Sequence, residues 1–201
     1  MIGAGCAPPK HEGLQPIESI AKPIRFESTD LRVTLATVIG VEHERSLVRN
    51  PGWLEYVLSI ENLGRTNLTV KNVKLLNRDG RYVDSAATYQ QITVAPDVSS
   101  EIAGTVARSA ASSVAGHFIP YGGSIVGVIT RAAAASAAED EDDAKRLFGL
   151  RVLKDVELAP SGEVNGSAFL PKIEGAKSLV IRYLVAGEVK TLEMALPAGM
   201  R

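Results

Sequence analysis

Large apolar residues alternate with small or polar ones from Leu31 to Val38, the period-two pattern of a half-buried strand running on toward Glu42. The pattern returns from Trp53 to Asn62, after a polar loop from His43 to Gly52 that contains Asn50-Pro51-Gly52. Asn62-Leu63-Gly64-Arg65-Thr66-Asn67 then turns the chain into a third strand, Leu68 to Leu76, and Asn77-Arg78-Asp79-Gly80 closes a hairpin into Arg81-Tyr82-Val83. Strand character fades after Val94 and resumes at Val152–Leu158 and Glu163–Leu170, the latter stopped by Pro171. A last pair, Ser178–Val185 and Val189–Leu196, hinges at Ala186-Gly187-Glu188. Short strands at this spacing, with turn chemistry between them, predict a mainly β chain: an immunoglobulin-like antiparallel β-sandwich.

The interruption has a different texture. From Ser109 to Thr130 there are twenty-two residues without a formal charge, long enough to cross a bilayer's hydrocarbon core of ~20 residues. Pro120-Tyr121-Gly122-Gly123 breaks that stretch in the middle. Two helical arms are therefore expected, about Val98 to Phe118 and Ser124 to Ala138, with Asp97 as N-cap and Pro120, Tyr121 and Gly122 at the tip of a hairpin. Ala107, Ala111 and Ala115 recur every four residues on the first arm, and Gly123 and Gly127 on the second. Such small-residue stripes let helix backbones approach closely. Three destinations stay open for them: the chain's own fold, other copies or partner proteins, and lipid. Glu139 to Asp143 must remain in water, and Ala144 to Phe148 reads as a further helical turn or a helix end stopped by Gly149.

These readings divide the chain into a lead-in (1–23), a first half-sandwich (24–96), an Ala/Gly-rich helical hairpin insertion (97–149) and a second half-sandwich (150–201). The strands before the insertion are too few to close a core alone, so one interrupted sandwich is expected rather than two domains.

Composition narrows the function classes. A formal net charge of -1 and 5% aromatic residues give no footprint for nucleic acid. His11, His43 and His117 are scattered, so no imidazole metal site is expected; nor does the acidic run have the spacing of a calcium loop. Gly122-Gly123-Ser124-Ile125-Val126-Gly127 lacks the strand that a nucleophile elbow needs, and no phosphate-binding loop occurs. No cofactor and no catalytic residue is therefore assigned. An enzyme would need Glu55, Glu61 or Asp84 beside His43 or His117 in a cleft. A ligand-binding sandwich would need a pocket near Trp53, Tyr56 and Phe169.

The single cysteine, Cys6, stands in Ile2-Gly3-Ala4-Gly5-Cys6-Ala7-Pro8-Pro9-Lys10. This run resembles the lipobox of bacterial lipoproteins, followed by a proline-containing tether. Gly3 stands where that motif usually carries an aliphatic residue, and the apolar part of a signal peptide would lie upstream of Met1. The resemblance implies cleavage before Cys6 and its acylation as a membrane anchor, placing the protein in the bacterial envelope, on the periplasmic side of the outer membrane. The expected function is non-catalytic: a structural or adaptor subunit of a membrane-associated complex, homo-oligomeric or joined to other envelope proteins, assembling through Ala107, Ala111, Ala115, Gly123 and Gly127. The alternative is a periplasmic ligand-binding module.

Overall fold

A computed structural model describes residues 23–97 and 141–197. Cys6, the tether, both arms with Ala107, Ala111, Ala115, Gly123 and Gly127, the tip residues Pro120, Tyr121 and Gly122, and His11 and His117 lie outside the described residues.

The described chain is mainly β. Its strands are β1 (Ile24–Glu27), β2 (Leu31–Ile39), β3 (Trp53–Asn62), β4 (Leu68–Asn77) and β5 (Tyr82–Asp84) before the undescribed segment. After it come helix α1 (Glu141–Arg151), β6 (Val156–Leu158), β7 (Glu163–Pro171), β8 (Ala176–Val185) and β9 (Glu188–Ala195). They form two antiparallel sheets, β1-β2-β3-β7 and β5-β4-β8-β9, with β6 also on β4. Each sheet combines strands from both sides of residues 98–140, so neither half of the chain completes a sheet without the other.

Alternation explains the sandwich-like core. Leu31, Val33 and Leu35 of β2, with Tyr56, Leu58 and Ile60 of β3, point inward from one sheet. Val70, Val73 and Leu75 of β4, with Leu179, Ile181 and Tyr183 of β8, meet them from the other. One register shift on β2 between Leu35 and Thr37, and one on β4 between Val70 and Asn72, reset which residues face inward.

Asn62 ties the two halves together. Fully buried, it donates from Nδ2 to the carbonyls of Thr66 (2.8 Å), Leu158 (3.0 Å) and Ala159 (3.0 Å) and accepts the Gly64 N–H at Oδ1 (2.9 Å). The turn after β3 is thereby held to the turn after β6. Ala186 (φ 50°) and Gly187 (φ 84°) make the tight β8–β9 turn.

Four expectations change. β2 ends at Ile39 rather than running toward Glu42. The stretch ahead of Val94 forms a 3-10 turn, Tyr89–Thr93, instead of a strand; Thr88 and the Gln91 side chain cap it. The loop from His43 to Gly52 is not uniformly polar outside: Ser46, Leu47 and Val48 are buried. Helix α1 passes through Gly149 to Arg151, so the following strand starts at Val156 and Val152 contributes only an isolated bridge to Ser167.

Candidate functional site

The outward face of the four-stranded sheet carries the most specific side-chain arrangement of the described protein. β3 turns Trp53 and Glu55 outward while Tyr56, Leu58 and Ile60 face the core. Its partner β7 sets Phe169 opposite Glu55 and Ser167 opposite Val57, on that same outer face. Left bare, Trp53 and Phe169 would expose a large apolar patch. Helix α1 covers it.

The helix is built for that task. Ala144, Leu147, Phe148 and Arg151 are its buried residues, spaced i, i+3, i+4 and i+7, one continuous stripe. Its first turn holds Glu141, Asp142 and Asp143, whose charges suit the helix N-terminus. Lys145 pairs with Glu141 at 3.0 Å, and the Glu141 hydrogen bond, followed by the Glu141 and Asp142 charges, raises its pKa. Phe148 stacks on Phe169 with ring centroids 4.7 Å apart and meets Tyr89 edge-on at 6.3 Å. Leu47, Val48, Ala86 and Ile92 fill the remaining gaps, forming a second core distinct from the one between the sheets.

Both flanks of residues 98–140 end on this platform. Upstream, the Trp53 indole donates to the Val94 carbonyl at 2.9 Å. Pro96 lies over Gly52 so closely that a Cβ there would fall 2.5 Å from the proline Cδ, leaving room only for glycine. Downstream, Gly166 lets the end of α1 approach β7: a Cβ would sit 2.7 Å from both the Arg151 carbonyl oxygen and Leu153 Cδ2. The Leu153 N–H then bonds the Ser167 carbonyl at 2.9 Å.

At the edge of the platform lies a buried ion pair. Glu55 is 1% exposed and the Arg151 side chain 8%. Arg151 Nη1 donates to Glu55 Oε1 (3.2 Å) and to the Arg45 carbonyl (3.1 Å). Ser167 Oγ donates to the same carboxylate oxygen (2.7 Å), and the Leu47 N–H to Oε2 (3.3 Å). A buried carboxylate needs such partners, since an isolated charge away from water costs many kcal/mol. The cluster draws one side chain each from the helix, β3 and β7, and two backbone groups from the loop before β3. Its geometry is that of a fastener: every described contact of Glu55 goes to a donor of the protein itself.

Of the groups that an enzyme reading would bring together, the described ones have partners of their own, and His117 lies outside the described residues. Glu61 pairs with Arg32, and Asp84 with Lys74 at 2.9 Å and Asn72 at 2.6 Å. His43 Nδ1 accepts the Arg45 N–H at 3.1 Å within its own loop. Among the described residues no group of three His, Cys, Asp or Glu could hold a metal ion, and no helix is long and apolar enough to cross a membrane. Trp53 and Phe169 do share a site, but Tyr56 points to the opposite face of β3, into the core between the sheets, where burial pushes its pKa up to about 12. The three rings therefore do not line one pocket.

Arg151 does not stand out in the sequence, where Gly149 marks an ordinary helix stop, although the Ala144, Leu147, Phe148, Arg151 spacing carries the signal. Glu55 also left a trace: it is a carboxylate on the same strand face as Trp53. A scan against models of protein families gives no match, and a search of curated proteins gives none either.

Proposed function

We propose that the protein is a non-catalytic lipoprotein of the bacterial envelope, anchored at Cys6 and acting as a structural or adaptor subunit. In this reading the folded body is a scaffold that carries residues 98–140 to their partners. The observation that carries it is the platform: Trp53 and Gly52 secure the upstream flank, while Phe148, Arg151 and Gly166 secure the downstream one. A segment fastened at both ends to one rigid face is presented from a fixed place. That geometry suits an adaptor whose contacts are made by Ala107, Ala111, Ala115, Gly123 and Gly127.

The body itself we assign to the immunoglobulin-like class. β3 crosses from one sheet to β4 in the other, β7 returns beside β3, and β8 beside β4. This interlocking, with β5-β4-β8-β9 facing β2-β3-β7, supports the assignment. The periplasmic face of the outer membrane is the expected location, because the lipobox-like run around Cys6 implies export and acylation.

Mass measurement on the native protein isolated from cells tests both parts. The reading expects an acylated Cys6 and a particle heavier than one chain, with Gly127→Leu lowering the particle's mass while the unfolding curve of the body is unchanged. An unmodified Cys6 together with a particle mass indifferent to Gly127→Leu refutes it.

A further inference from the structure

The two sides of the sandwich are finished differently. On the β7 side the backbone is occupied: the Phe169 N–H donates to Ser85 Oγ at 3.0 Å, the Ala86 N–H donates to the Phe169 carbonyl at 2.8 Å, and the Ser167 carbonyl takes the Leu153 N–H. On the other side β9 is the outer strand of its sheet among the described residues, eight residues without proline and without a register shift against β8. The two-residue turn makes Val185 and Glu188 a hydrogen-bonded pair, and the Leu196 N–H bond to the Lys177 carbonyl (2.9 Å) keeps that phase to the strand's end. Glu188, Lys190, Leu192 and Met194 therefore spend their backbone groups on β8. The N–H and C=O groups of Val189, Thr191, Glu193 and Ala195 point outward.

An exposed edge is ordinarily defended by charged side chains, lysine above all. Here both central charges are drawn onto their own subunit. Lys190 Nζ donates to Asp30 Oδ2 at 2.9 Å, and the Glu193 carboxylate accepts the Ser178 hydroxyl at 2.7 Å with Lys177 at 3.8 Å. Among the described residues the edge is regular and apolar in part, and its two central charges, though part-exposed, are already paired within the subunit.

We propose that β9 pairs with β9 of a second copy of this chain, antiparallel about a two-fold axis at Leu192. This register sets Leu192, partly buried beside the core, against the partner's Leu192 at a non-hydrogen-bonded position, where side chains lie closest. It sets Lys190 opposite the partner's Met194, Thr191 opposite the partner's Glu193, and Val189, 56% exposed, opposite the partner's Ala195. No like charges face one another, and inner faces stay on one side, so the apolar layer continues across the contact. A strand edge that complements itself in this way makes a closed, isologous pair. The pairing is independent of residues 98–140.

Sedimentation of the full chain over a concentration series tests it. A monomer–dimer equilibrium is expected. Thr191→Pro, which removes an outward N–H and leaves the β8 bonds intact, weakens the dimer by on the order of tenfold or more. Thr191→Glu, placed against the partner's Glu193, weakens it likewise; adding Glu193→Lys restores it, which a merely structural role of the strand would not produce. Thermal melts of each variant establish that the body is folded. A chain that stays monomeric at every concentration overturns the proposal, including the case in which the edge serves a different protein. Self-association indifferent to both Thr191 variants and abolished by Gly127→Leu also overturns it, and leaves the adaptor reading standing.

Discussion

Replacing Arg151 with methionine isolates what the buried ion pair does. The methionine keeps most of the apolar stem against Leu147 and Phe148 and removes the charge, leaving Glu55 at 1% exposure with the Ser167 hydroxyl and the Leu47 N–H as its described donors. Breaking a buried pair by deleting one member costs about 3–5 kcal/mol, because the remaining charge stays desolvated. The two surviving hydrogen bonds place the expected loss near the lower end, about 3 kcal/mol. With a urea slope of about 2 kcal/mol/M for a domain of this size, the midpoint falls by about 1.5 M. Trp53, the only tryptophan, lies in the same cluster, so its fluorescence follows the undocking directly. The double variant Glu55→Leu with Arg151→Met removes both charges and returns to within about 1 kcal/mol of the parent, as buried pairs replaced by apolar groups do. A single Arg151→Met variant that loses less than about 1 kcal/mol would refute the view that this pair fastens the helix.

The two glycines near that helix should respond with opposite signs. Gly149→Ala, with nothing within 4 Å of the new Cβ, stabilises by up to about 1 kcal/mol, whereas Gly166→Ala drives a Cβ into the Arg151 carbonyl and Leu153 and destabilises by about 2 kcal/mol or more; equal shifts in urea midpoint would contradict the geometry. Tyr56 gives a pH dependence. Its folded pKa of about 12 lies above the ordinary 10, so the unfolded chain ionises first and stability is lost as pH rises from about 10 to about 12, by up to roughly 2–3 kcal/mol. Tyr56→Phe flattens that alkaline loss, and an unchanged slope above pH 10 would remove Tyr56 as its source.

How far the chain could be read from its residues depended on whether a pattern was local. Trp53–Asn62 was legible end to end, because a run rich in strand-forming residues is bounded by turn chemistry on either side. Leu68–Leu76 and the β8–β9 hairpin were equally open for the same reason. Helix α1 was only half legible: Gly149 is a common helix stop, and the stripe to Arg151 gains its stability from Phe169 and Glu55, nearly 20 and 100 residues away in sequence. The buried Ser46–Val48 stretch failed similarly, since only the docked helix gives Leu47 and Val48 something to pack on. The platform as a site was hidden because it joins five separate stretches of chain.

The most direct test of the scaffold account is urea unfolding of a chain in which residues 98–140 are replaced by a glycine-serine linker of about ten residues, whose reach is roughly 17 Å. If Trp53, Tyr89, Phe148 and Phe169 close the body by themselves, the variant unfolds in one transition within about 1 kcal/mol of the full chain. A variant that fails to fold, or that loses more than about 3 kcal/mol, would mean that residues 98–140 complete the body's own core, and the account would be wrong.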